Sequence, residues 1–104
     1  MLEIEEDTKI IVTMLKNIRD GENDENKRIE LNELIEKHIL LTNIIINEQN
    51  YYKGLNFLEE IKQLRINKNI NNYFMSSNNI EHKNFIIKVM QLKISLMNFI
   101  YSCC

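Results

Sequence analysis

The sequence predicts an all-α protein, a single small bundle of four to five helices with the C-terminal helix central. Three observations predict it. Apolar residues recur at intervals of three and four along most of the chain. The one stretch rich enough in β-branched residues to read as a strand, "ILLTNIII" at 39–46, has no second strand to pair with. The chain has 104 residues, 44% hydrophobic and 27% charged, which suits one folded domain over 1–104.

The first helix is expected from about Glu3 to Arg19. Ile4, Ile11, Leu15 and Ile18 share one face, with Ile10 and Met14 beside them. Glu3, Glu5, Glu6 and Asp7 crowd its start and Lys16 and Arg19 its end, the order the helix dipole favours. "DGENDEN" at 20–26 reads as a loop. Gly21 suits a left-handed helix end, and Asp24 or Asn26 suits the next N-cap.

The second helix is expected from Glu25 to Ile46. Leu31, Leu34, Ile35, His38, Leu41, Thr42 and Ile45 form its inner stripe, with Glu30, Glu33, Glu36 and Lys37 opposite. "NEQN" at 47–50 breaks the chain. A third helix follows over roughly Tyr51 to Arg65, with Tyr51, Leu55, Leu58, Ile61 and Leu64 inward and a first turn weakened by Gly54. "INKNINNYFM" at 66–75 makes at most a short helix that buries Ile66, Ile70, Tyr73 and Phe74. "SSNN" turns the chain, with Asn78 placed to cap against Glu81.

The last helix is expected from Ile80 to Tyr101. From Phe85 to Tyr101, 12 of 17 residues are apolar. Asn84, Lys88, Gln91, Ser95, Asn98 and Ser102 recur every three or four positions as one polar seam, and only Lys93 lies off it. The rest of this helix is therefore expected to be covered, by its own bundle or by a partner.

Residues 1–52 carry 12 acids and 6 bases, a balance of −6, and residues 53–104 carry 3 acids and 7 bases, a balance of +4. The halves are suited to attract each other, and the net charge of −2 is not that of a typical nucleic-acid binder. Ile and Asn abound and Ala is absent, which points to an AT-rich genome of an organism or virus rather than to any structural demand. The acidic start "LEIEEDTK" does not resemble a secretory signal, and no apolar run is long enough to span a membrane. Cys103 and Cys104 are the only cysteines, so an intracellular setting is expected, cytoplasmic or nuclear not being distinguished. Tyr101 stands where the four-residue prenylation box needs Cys, so lipidation at Cys103 or Cys104 is not expected.

Little chemistry is visible. With only two glycines there is no phosphate-binding loop, and no nucleophile stands at a familiar spacing from a histidine. His38 lies on an inner stripe and reads as a core histidine. His82 falls in a polar first turn and reads as exposed. Neither has ligand-type neighbours, so no metal, no cofactor and no catalytic residue are expected. Lys62, Arg65, Lys68, Lys83 and Lys88 form a basic set suited to nucleic acid, though the simpler reading is a solvated face that complements the acidic half.

"GLNFLEEIKQLRINKNI" at 54–70 faintly resembles the helical N-terminal domain of transcription elongation factor TFIIS and its relatives, through the spacing of Leu55, Leu58, Ile61, Leu64 and Ile66. The resemblance implies a helical adaptor for disordered peptide motifs. It covers 17 residues and lacks the Ile-Gly-Lys stretch of many members, so membership is not assigned.

The reading favoured by the sequence is a non-enzymatic protein–protein interaction module, a subunit, adaptor or inhibitor binding another protein or a second copy of itself. The partner surfaces expected are Ile39, Leu40, Ile44 and Ile46 on the second helix and Phe85, Met90, Met97 and Phe99 on the last. The alternative is a nucleic-acid-associated or transcription-elongation-type adaptor using the basic half.

Overall fold

The computed structural model describes residues 2–102, for Leu2 its backbone alone. Five helices follow in order: α1 (Leu2–Asp20), α2 (Glu25–Ile46), α3 (Tyr51–Asn67), α4 (Ile70–Met75) and α5 (Ile80–Ser102). They form the expected all-α bundle, 45 × 24 × 23 Å.

Four long helices pack in a ring. α1 lies between α2 and α5, α3 packs on α2 and α5, and α4 closes the gap between α3 and α5. The C-terminal helix is central in that it touches α1, α3 and α4. The core runs down the axis of the ring. Ile4, Ile11, Leu15 and Ile18 enter from α1, and Leu31, Leu34, Leu41 and Ile45 from α2. Leu58 and Ile61 enter from α3, Phe74 from α4, and Phe85, Val89, Leu92 and Leu96 from α5. Each large buried side chain contributes roughly 1.5–3 kcal/mol, so this stripe-on-stripe packing is what holds the ring closed.

The connections are built from short polar side chains. Asp24 caps α2 by accepting from the backbone amides of Asn26 and Lys27, and Asn50 caps α3 by accepting from Lys53 N at 3.0 Å. Left-handed backbone falls at Gln49 and Asn69, not at glycine. Gly21, expected there, has no positive φ; its amide simply extends the α1 ladder to Asn17 O. Asn79, not Asn78, meets the start of α5, accepting from Glu81 N.

Gly54 has a different role from the one its sequence context suggests. It is buried, and a Cβ there would lie 2.9 Å from Ile45 Cγ1. It is the notch that lets α3 approach α2, and α3 begins at Tyr51 despite it.

One charged contact fastens α1 to α5. Asp7 is almost wholly buried and meets Lys88 Nζ at 3.4 Å. Lys68 pairs with Glu33 and Lys93 with Glu59. The attraction expected between an acidic and a basic half is expressed in the Asp7–Lys88 and Glu33–Lys68 pairs, whereas Lys93 and Glu59 both belong to the basic half.

Candidate interaction site

α5 carries two apolar stripes, not one. His82, Phe85, Val89, Leu92 and Leu96 face the core. Ile80, Ile87, Met90, Ile94 and Tyr101 are 51–67% exposed. Taking 100° per residue, Ile87 and Ile94 lie nearly opposite Phe85 and Leu92. The cover expected for α5 is therefore not completed by its own bundle, which leaves this second stripe open as well as the polar seam. The ring supplies neighbours to one side of this helix, and none of the other four reaches the far side.

The exposed stripe has a regular period. Ile80, Ile87, Ile94 and Tyr101 are spaced by seven, and Met90 and Met97 stand three after Ile87 and Ile94. That is the a/d repeat with which one helix seats another. At roughly 200 Å² for a large side chain, the five most exposed residues leave on the order of 600 Å² of apolar surface open. This is at the upper end for the largest patch on an ordinary monomer.

Beside the stripe a groove of about 430 Å³ opens between α3, α4 and α5. Met75, Ile86, Val89, Met90 and Ile94 give it apolar walls. Lys62, Arg65 and Lys93 supply cations, and Asn71 is the remaining polar lining residue. Arg65 is 5% exposed, and its Nε and Nη1 are buried without a hydrogen-bond partner. Its guanidinium carbon lies 5.9 Å from the centre of the Phe85 ring, within reach of a cation–π contact. Burial pulls its proton affinity down. His38 also packs edge-on against Phe85, its ring centre 6.0 Å away. Burial, with the charge of Arg65 added, holds His38 neutral with a pKa of about 3. His38 is thus the core histidine expected, and it leaves Arg65 without an acidic companion.

A second groove, of about 360 Å³, lies between α1 and α2, lined by Lys9, Val12, Ile39, Thr42, Asn43, Ile46 and Asn47. Elsewhere Tyr73 donates to Glu22 Oε1 at 2.5 Å and lies 3.5 Å from His82 Nε2. This cluster ties the α1–α2 loop to α4 and α5. His82, expected to be exposed, is buried against Tyr73 and Phe74 because it starts the inward stripe of α5. Burial lowers its pKa against the opposing pull of Glu22 and Glu81. The Tyr73 hydroxyl is pushed above its ordinary range, chiefly by burial and then by its bond to Glu22.

The residues expected to meet a partner divide. Ile39, Leu40 and Met90 are exposed, and Ile46 and Met97 are half-buried. Ile44 and Phe85 are buried, and Phe99 packs edge-on against Tyr51, so these three serve the fold. Of the basic set, Lys68 and Lys88 are engaged by Glu33 and Asp7, Arg65 is buried, and Lys62 and Lys83 are exposed. Lys62 and Arg65 share the lining of one groove. Cys103 and Cys104 lie outside the described residues.

Ile87 and Ile94 lie outside the partner surfaces expected from the sequence, and Arg65, expected in a solvated basic set, is instead a buried cation lining the groove. A signal for Arg65 exists: it continues the inward spacing Gly54, Leu58, Ile61, so its burial was legible although its lack of a partner was not. Among the described residues, no group of three His, Cys, Asp or Glu side chains is placed to hold a metal ion. No helix among them is long and apolar enough to cross a membrane. Comparison with protein-family models, with curated proteins and with solved structures finds no match.

Proposed function

We propose that this chain is a non-enzymatic protein-interaction module that seats an amphipathic helix of another protein along the outer side of α5. The observation that carries the reading is the seven-residue repeat of Ile80, Ile87, Ile94 and Tyr101, with Met90 and Met97 between, on the side facing away from the core. A lone helix in water gains nothing from that repeat, whereas two helices that share one bury it. Methionines at the intervening positions suit a surface that adapts to its ligand. The uncompensated cation Arg65 beside the stripe favours a partner helix that carries an acid over a second copy of α5, whose single acid, Glu81, lies in its first turn.

The test is site-directed photocrosslinking in the native source. A photoreactive residue at Met90 or Ile94 is expected to trap one discrete protein, and Ile87→Glu is expected to abolish the trapping. The same probe at Ile29, exposed on α2, is the control. Equal trapping at Ile29 and Met90, or none at Met90 and Ile94, refutes the reading.

A further inference from the structure

Arg65 is an incomplete arrangement. Arg65 is 5% exposed as a residue, and two of its three guanidinium nitrogens, Nε and Nη1, are buried without an acceptor, yet its side chain lines an open groove. Buried cations are ordinarily paired, because the loss of hydration is otherwise not repaid. Nothing around the groove pairs this one. Its lining contains no acid, and the nearby Glu59 is taken by Lys93 at 2.6 Å. His38, which also packs against Phe85, is a neutral ring that offers no charge.

We infer that Arg65 is the receptor for one carboxylate side chain, Glu or Asp, presented by the partner helix that lies along α5. The inference rests on the proposed reading of α5 and specifies the chemistry of its ligand. The exposed stripe and the groove are continuous, since Met90 and Ile94 belong to both. A helix seated on the stripe passes over the groove, and an acidic residue on its inner edge then meets the guanidinium. The planar fork of Arg suits a carboxylate, and the apolar walls strengthen the pair by excluding water. Those walls also select the class of ligand. Met75, Ile86, Met90 and Ile94 favour a single acid flanked by large apolar residues. A phosphorylated segment would need several free cations, and of the two lysines at the groove Lys93 is already engaged, which leaves Lys62.

The test uses the whole protein and two synthetic helical peptides. Both carry Leu in an a/d repeat; one has a single central Glu beside the Leu stripe and its twin has Gln there. Nitrogen-labelled protein is titrated with each, following the Arg65 Nε–H resonance and the Met75 and Met90 methyls. The expected result is binding at least about tenfold tighter for the Glu peptide, the scale of one charge-assisted hydrogen bond. The Arg65 Nε–H resonance moves only with that peptide. In Arg65→Met, chosen to keep the stem and the packing, the preference between the twins disappears. Equal binding of both peptides overturns the inference and leaves the α5 reading standing. So does a preference for Glu with the Arg65 resonance unmoved. Binding of neither peptide also overturns the inference, and the crosslinking at Met90 then decides the α5 reading separately. The comparison of twins on the unaltered protein holds even if Arg65→Met fails to fold.

Discussion

Gly54→Ala sets two effects of opposite sign against each other, and the geometry decides between them. On an exposed helix this change stabilises by about 1 kcal/mol, because alanine has less backbone freedom to lose. At this site the new Cβ would stand 2.9 Å from Ile45 Cγ1 and 3.4 Å from its Cδ1, with Leu41 Cδ1 at 3.8 Å. Cγ1 is not the free tip of a side chain. It is one bond from the β-branch of a fully buried isoleucine, so relief requires a new Ile45 rotamer or a wider gap between α2 and α3. Overpacking of this kind costs about 1–3 kcal/mol. The net expectation is a loss of about 1 kcal/mol, a fall in Tm of about 4–8 °C for a domain this small. Urea unfolding of four proteins measures it: wild type, Gly54→Ala, Ile45→Ala and the double variant. Ile45→Ala alone is expected to cost about 2–5 kcal/mol. In that background the clash is gone, and Gly54→Ala should turn neutral or stabilising. Strict additivity around the cycle, or stabilisation by Gly54→Ala in the wild-type background, would refute the close approach of α2 and α3.

Three further outcomes are expected. His38 is held neutral with a pKa of about 3, whereas in the unfolded chain it protonates near its ordinary value of about 6.5. The unfolded state therefore takes up a proton that the folded state refuses. The stability from this site is complete above about pH 6.5 and falls by about 1.4 kcal/mol per pH unit below it, so urea midpoints of wild type should drop faster than those of His38→Leu between about pH 6 and 4; parallel slopes would contradict a neutral buried ring. Lys88→Met strands the nearly buried Asp7 and is expected to cost about 1–3 kcal/mol, part of which Asp7→Asn restores in the same background, read by thermal melts. Ile94→Glu changes only an exposed side chain, so folding stability should stay within about 0.5 kcal/mol of wild type while crosslinking at Met90 is lost.

Periodicity made the helices legible because each depends on its own residues. α2 spans the residues its pattern indicates, and Ile4, Ile11, Leu15 and Ile18 line the core as their spacing requires. What periodicity cannot convey is the number of neighbours a helix will have. On α5, Phe85–Leu92 and Ile87–Ile94 repeat with the same interval and similar hydrophobicity, so only the ring geometry separates the inner pair from the outer. His82 and Arg65 illustrate the same gap. Each continues an inward stripe, but a polar side chain invites an exposed reading until the packed neighbours, Phe74 and Phe85, are known. Gly54 was harder still, since a glycine that admits another helix looks in sequence like one that weakens its own.

The bond from Tyr73 to Glu22, with His82 alongside, works as a latch at one pole of the bundle. It draws together parts of the chain that are 51 residues apart. At the opposite pole Tyr51 packs edge-on against Phe99. Opening of the ring should therefore have a direction: it starts where oil holds the helices and stops where the latch does, so amide protons near Phe99 will exchange before those near His82.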